Sequence, residues 1–200
     1  MAEQMIISIG RQFGSGGHVI GEKLAEQFGL KLYDAAILED IAKESGLSYE
    51  EVKRYDERHS WKDLFSRNVR GLSISMEDGV AEAQFKFIRD LADNGESFVV
   101  IGRCSENVLK GRDCLISFFI TGAHEDKVRR TMDLYDISAD DAADMMKEID
   151  YKRKTYHNYY SERKWGDSRG YDLTINSSRL GLDGTVELLA DYIRRRTGRE

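Results

Sequence analysis

The chain has 200 residues, 40% of them hydrophobic, with 30 lysines and arginines against 36 aspartates and glutamates and a formal net charge of −6. That length and apolar content suit one sizeable core and argue against two independent domains. The acidic balance argues against a general nucleic-acid binder, and no apolar run is long enough to span a bilayer.

Met5 to Ile9 is a short isoleucine-rich run that predicts a buried parallel strand, punctuated by Gly10, Gly14, Gly16 and Gly17. Beyond them Ile20, Leu24 and Phe28 recur at helical spacing and predict a helix over 18–28. The run from Lys31 to Tyr33 predicts a second strand, followed by helices over 35–45 and 48–58, the latter opened by the capping pair Ser48 and Glu51. The stretch 58–79 is polar and weakly periodic, with Trp61 and Phe65 but no core stripe, and reads as a mobile insertion near a substrate or as an oligomer contact. A helix is expected over 80–94, a strand over 97–101 and another over 114–121. Helices over 125–134 and 138–160 follow, the second opened by Ser138 and Asp141, then a strand over 172–176 and a helix over 184–195. The run Arg194, Arg195 and Arg196 closes that helix, where cations complement the dipole. Strands alternating with helices predict an α/β fold, a parallel sheet covered by helices on both faces.

The most informative stretch is IISIGRQFGSGGHVIG, from Ile6 to Gly21: a strand, a glycine-rich turn and a helix in that order. Glycines let such a turn take positive φ and let an anion approach, so that successive N–H groups and the helix dipole face phosphate oxygens. Gly14, Ser15, Gly16, Gly17, His18 and Val19 are therefore the candidate phosphate-binding residues. The standard loop is G-x-x-x-x-G-K-[ST]. Here Gly17 stands where the lysine belongs, His18 where the hydroxyl belongs, and Arg11 where the first glycine would be. Arg11 offers an always-ionised, bidentate cation in compensation. His18 is a poor magnesium ligand, Ser15 is the nearer hydroxyl, and no metal ligand is assigned. Cys104 and Cys114 fit neither a zinc spacing nor a disulfide framework and read as reduced structural thiols. The first residues lack a basic-then-apolar leader, so a cytoplasmic location with no membrane partner is expected.

The loop GRQFGSGGHVIG, the segment KLYDAAIL, the strand and turn FVVIGRCSENVL and the closing YDLTINSSRLG together resemble the cytidylate kinase-like family of P-loop nucleoside monophosphate kinases, over nearly the whole chain. The similarity is to a bacterial branch with a G-S-G-G loop. It implies a five-stranded parallel core, an acceptor-binding helical region over 35–96, a lid over 135–170, and transfer of a phosphoryl group from ATP with Mg2+. Asp34 matches the acidic residue of the family's L-D-[ST]-G-A segment, with Ala35 in place of a hydroxyl residue. Arg103 matches the arginine of the D-G-R-D turn, whose two carboxylates are absent here. These two residues are the implied acceptor contacts.

Cytidylate kinases carry R-D-x-x-D-x-x-R on a lid helix. The equivalent stretch, from Glu148 to His157, keeps the charge without that spacing. Lys152, Arg153 and Lys154, with Arg129 and Arg130 before and Arg163 and Lys164 after, form a cationic cluster suited to neutralising phosphates in transfer. Arg11, Arg153 and Lys152 are the catalytic candidates. Asn176, Ser177 and Ser178 end the last strand where the resemblance places the donor's adenine.

The resulting expectation is a phosphotransferase moving the γ-phosphoryl group of ATP to a nucleoside monophosphate, with CMP or dCMP first. Two alternatives stand beside it: a nucleotide-binding regulatory protein without catalysis, and a kinase acting on a small non-nucleotide metabolite. A homodimer is compatible with either, and the partners expected are small molecules rather than nucleic acid.

Overall fold

The computed structural model describes residues 4–34 and 73–198. Strand β1 (Ile6–Arg11) leads into helix α1 (Gly17–Phe28), then β2 (Lys31–Tyr33). Helix α2 (Ser73–Asp93) precedes β3 (Phe98–Ile101), the short helix α3 (Ser105–Val108) and β4 (Leu115–Thr121). Two consecutive helices follow, α4 (His124–Tyr135) and α5 (Ala139–Tyr160), then β5 (Leu173–Asn176) and α6 (Gly181–Thr197). The five strands form one sheet in the order β2-β3-β1-β4-β5, and every pairing is parallel. All strands therefore point their carboxyl ends the same way, and the glycine turn after β1 lies at that edge, where ligands gather in open α/β sheets.

Both faces of the sheet are covered, which is why its strands read as nearly continuous apolar runs. On one face Ile7, Ile9, Val99, Phe118 and Ile120 pack under Ile20 and Leu24 of α1 and Leu189 and Ile193 of α6. On the other, Ile6, Phe98 and Val100 meet Phe87, Ile88 and Leu91 of α2. Helix α5 begins where its cap predicts, since the Ser138 hydroxyl accepts from the Asp141 amide at 3.1 Å.

Helix α2 starts at Ser73, two turns before the predicted Val80. Gly79 had marked the boundary, yet an interior glycine costs a helix only about 1 kcal/mol, too little to stop one. Helix α6 starts three residues early for the same reason, running through Gly184. The expected helices over 35–45 and 48–58, with the Ser48 cap, lie outside the described residues, as do Trp61 and Phe65. Asp172 precedes β5 and braces it: its carboxylate accepts from the Ser117 amide at 2.6 Å.

Candidate active site

The turn after β1 is built to leave amides free. Gly14 and Gly16 have φ of +71° and +80°, and no side chain caps α1 at Gly16. The first helical bond runs from the Ile20 amide to the Gly16 carbonyl at 3.0 Å, so the amides of Gly17, His18 and Val19 have no acceptor within the helix. Neither positive-φ glycine has room for a side chain. A Cβ on Gly14 would lie 2.8 Å from the Lys127 carbonyl oxygen, and one on Gly16 would collide with Leu182. Ser15 is fully buried, its hydroxyl donating to the Gln12 carbonyl at 2.8 Å while its own carbonyl accepts from the Ser177 hydroxyl at 2.6 Å. That hydroxyl holds the shape of the loop. Ser178 accepts from the Ala123 amide at 2.9 Å, so the turn after β5 braces the loop and the end of β4 together.

The absent lysine has a steric explanation. A Cβ at Gly17 would lie 2.6 Å from Arg11 Cβ and 3.0 Å from Arg11 Cγ. The first of these atoms is fixed by the backbone, so position 17 must be glycine for as long as position 11 carries a side chain. The standard motif solves the same problem in reverse, with glycine first and lysine later. From there the Arg11 side chain crosses the backbone of Gly102, whose φ is +77°, and brings Nη2 to 3.6 Å from Asp34 Oδ1. Asp34 is held from the other side by His18 Nδ1 at 2.8 Å, and His18 Nε2 lies 3.2 Å from Glu22. His18 thus contributes its amide to the turn and its ring to Asp34.

Three guanidinium groups converge here. Burial lowers the pKa of Arg11 to about 9, with the positive charges of Arg153 and Arg103 adding to it and Asp34 opposing. Burial likewise lowers that of Arg153, offset by Asp150 and Asp34. Arg103 enters from the turn after β3, where Gly102, Arg103 and Cys104 all have positive φ. Two successive non-glycine residues in that region are a local strain that only a well-braced turn sustains. Cys104 is buried, and burial followed by the charge of Glu106 pushes its thiol well above the ordinary range, so it is an inert packing residue.

Helices α4 and α5 stitch themselves to the loop almost residue by residue. Arg153 Nη1 donates to the Arg11 carbonyl at 3.3 Å, Lys127 Nζ donates to Gln12 Oε1 at 3.1 Å, and Arg130 donates to the Gly14 carbonyl. Asp150 Oδ1 accepts from the Phe13 amide at 2.7 Å, and the Phe13 ring has the Arg153 guanidinium 5.5 Å and the Tyr135 ring 6.0 Å from its centre. Burial raises the pKa of Asp150, opposed by the Phe13 bond and by Arg153 and Lys127.

Of the residues singled out in the sequence, the fold brings Arg11, Arg153, Arg103, Asp34 and the loop from Gly14 to Val19 to one edge. Lys152 faces elsewhere, paired with Glu148 at 2.6 Å. Arg163 and Lys164 line a separate cavity beside Glu106 and His157. Gln12, Phe13, Lys127 and Asp150 were not singled out. The Asp150 signal was present, because an aspartate three residues before Arg153 on a helix is the second half of the R-D-x-x-D-x-x-R arrangement, and the two lie 3.9 Å apart.

A parallel sheet in this order, with an uncapped glycine loop and converging arginines at its carboxyl edge, defines a P-loop kinase of the nucleoside monophosphate kinase type. Residues 6–179 match the cytidylate kinase-like family, and the chain belongs to that family of ATP-dependent phosphotransferases. It is 27% identical over 191 residues to the cytidylate kinase of Pyrococcus horikoshii, covering 94% of this chain and 87% of that one. An uncharacterized protein from Eubacterium ventriosum of known structure is 36% identical, with a TM-score of 0.76 over 95% of this chain and 98% of that one. The shikimate kinase of Bacteroides thetaiotaomicron superposes with a TM-score of 0.55 at 13% identity over 95% and 98% of the two chains, a likeness of fold. Among the described residues no helix is long and apolar enough to cross a membrane.

Proposed function

We propose that this chain transfers the γ-phosphoryl group of ATP to a nucleoside monophosphate, with CMP and dCMP as the first acceptors to test. The observation that carries the reading is the convergence of Arg11, Arg103 and Arg153 beside Asp34, at the mouth of an amide-lined loop. Three cations held together at a cost from burial and mutual repulsion are complementary to a phosphoryl group in flight, and catalysis of this transfer is positioning and charge stabilisation.

In this reading the amides of Gly17, His18 and Val19 hold donor phosphates, and Arg11 takes the part of the loop lysine from the opposite wall. Asp34 orients Arg11. Arg103, presented by the strained turn, meets the acceptor phosphate. Arg153 comes from α5, within the region 135–170 that this reading takes as the lid, and Asp150 aims it. Ser15 is committed to the Gln12 carbonyl, and the described residues hold no group of three or more His, Cys, Asp or Glu side chains suited to a metal. Magnesium, which shields charge between phosphates, then fits as an ion carried by the nucleotide and water.

The test is ADP release from ATP with magnesium by the purified protein, with each nucleoside monophosphate in turn and with shikimate and gluconate as non-nucleotide acceptors. Stimulation by CMP or dCMP, lowered about 10²–10³-fold in Arg11→Ala, supports the proposal. Stimulation only by a non-nucleotide acceptor refutes the nucleotide part and leaves the phosphotransferase.

A further inference from the structure

We infer that Glu106 and His157 are positioning residues for the proposed transfer: their buried pair sets where Arg153 stands relative to the turn that presents Arg103. The effect on turnover rests on the kinase reading, and the placement itself rests on the fold alone. Asp150, Arg153 and His157 fall at i, i+3 and i+7 on α5 and so share one face of that helix. The outer two are anchored. Asp150 Oδ1 accepts from the Phe13 amide of the phosphate loop at 2.7 Å. His157 Nε2 lies 2.5 Å from Glu106 Oε1, and both side chains are only 7% exposed. Glu106 follows Arg103 by three residues. Arg153 is therefore carried between an anchor on the loop and an anchor on the Arg103 turn.

The second anchor is itself fixed. Ser105, Glu106 and Asn107 are consecutive residues of α3. The Ser105 hydroxyl lies 2.7 Å from that of Ser8 in β1, and Asn107 Nδ2 donates to the Tyr160 carbonyl at the end of α5 at 3.1 Å. One side chain thus binds α3 to the sheet and two bind it to α5. An apolar cluster of Cys104 and Phe85, with Tyr156 and Tyr160 packed against it, closes the same contact. A restraint is needed there because the converging cations repel: the charges of Arg153 and Arg103 both disfavour that of Arg11, and the charge of Arg103 disfavours that of Arg153. Apolar contact is non-directional, whereas a short hydrogen bond has a preferred length and angle, so the pair is what fixes the rotation of α5 beside the arginine. As a source of stability a buried pair is weak, since desolvation offsets its attraction. Its consequence is geometric.

The test variant is Glu106→Leu/His157→Leu in the full chain. Replacing both partners by apolar groups of similar size leaves no buried charge unpaired, so the fold should survive with a Tm near the parent's while the directional contact is lost. In 1H–15N spectra of the protein without nucleotide, the Arg153 Nε–H signal should shift and exchange faster with water. In Glu106→Gln, which keeps an oxygen for His157 Nε2, it should stay close to its parent position. With ATP, magnesium and the acceptor, kcat of the double variant should fall about 10–10²-fold, the scale of loss that small misplacements cause in a transfer site. The same replacement should change kcat less than about twofold in an Arg153→Ala background, because it acts through Arg153. An Arg153 signal unmoved in the double variant, or moved as far in Glu106→Gln, overturns the inference, as does a loss of kcat of equal size with and without Arg153. A double variant that does not fold marks the pair as structural and overturns it too. A parent chain that turns over no acceptor defeats the kinase reading alone, and the Arg153 signal still decides the placement.

Discussion

If Arg11 and Gly17 have exchanged the parts that glycine and lysine play in the standard loop, the two positions must be tightly coupled. Gly17→Lys alone places a Cβ 2.6 Å from Arg11 Cβ, an overlap neither backbone can avoid. Overpacking of this kind costs about 2 kcal/mol, roughly 4–8 °C in Tm for a chain of this length. Position 17 does not have a positive φ, so the penalty is steric and not conformational. Arg11→Gly alone removes the cation and lowers kcat/KM for ATP by about 10²–10³-fold. The double variant clears the overlap and returns a cation to the loop, so it should regain the lost Tm and exceed Arg11→Gly in kcat/KM by at least about tenfold, a coupling of about 1.4 kcal/mol or more. Thermal melts and steady-state ADP release on the four proteins complete the cycle. A Gly17→Lys variant as stable and active as the parent, or a double variant no better than the two single effects combined, would refute the exchange.

Arg11→Met should raise Tm while lowering kcat/KM for ATP by about 10²–10³-fold. Burial disfavours the Arg11 charge even after the Asp34 attraction, lowering its pKa to about 9, so an uncharged stem of similar length should stabilise the fold by about 1–2 kcal/mol. Arg153→Ala should lower kcat by at least about 10²-fold and Lys152→Ala by less than about threefold, since only Arg153 reaches the loop; equal losses in the two variants contradict this placement. Asp150 has its folded-state pKa raised above the ordinary 3.8, so the folded chain keeps this proton longer than the unfolded one. Its contribution to stability therefore falls as pH rises from about 4 through the raised value. Asp150→Asn, which keeps an oxygen for the Phe13 amide, should flatten that fall in urea unfolding between pH 4.5 and 7.5, and an unchanged slope removes Asp150 as its source.

The central strands β1, β3 and β4 were legible because each is a short apolar run buried on both faces, and Ser138 announced α5 through its hydroxyl. The starts of α2 and α6 were not, because both run through a glycine that punctuation alone would take for a boundary. The loop could be read from glycine spacing, and Arg11 from its place in the motif. Lys127 could not, because a lone lysine on an amphipathic helix looks like solvated surface until the helix is laid over Gly14. Lys152 and Arg153 are adjacent in sequence, and only the packing of α5 decides which one faces the loop.

The same packing explains how a loop without its lysine is held ready. In a standard loop the cation belongs to the loop, and the lid only closes over it. Here Arg153, Lys127 and Arg130 come from α4 and α5 and bond the loop's own carbonyls and the Gln12 amide oxygen, while Asp150 occupies the Phe13 amide. Every loop residue from Arg11 to Gly14 has a partner on α4 or α5. The shape of the loop and the seating of those two helices are therefore coupled in this chain. The Asp150 carboxylate, bound to the Phe13 amide and facing the charges of Arg153, Lys127 and Arg11, is part of that coupling.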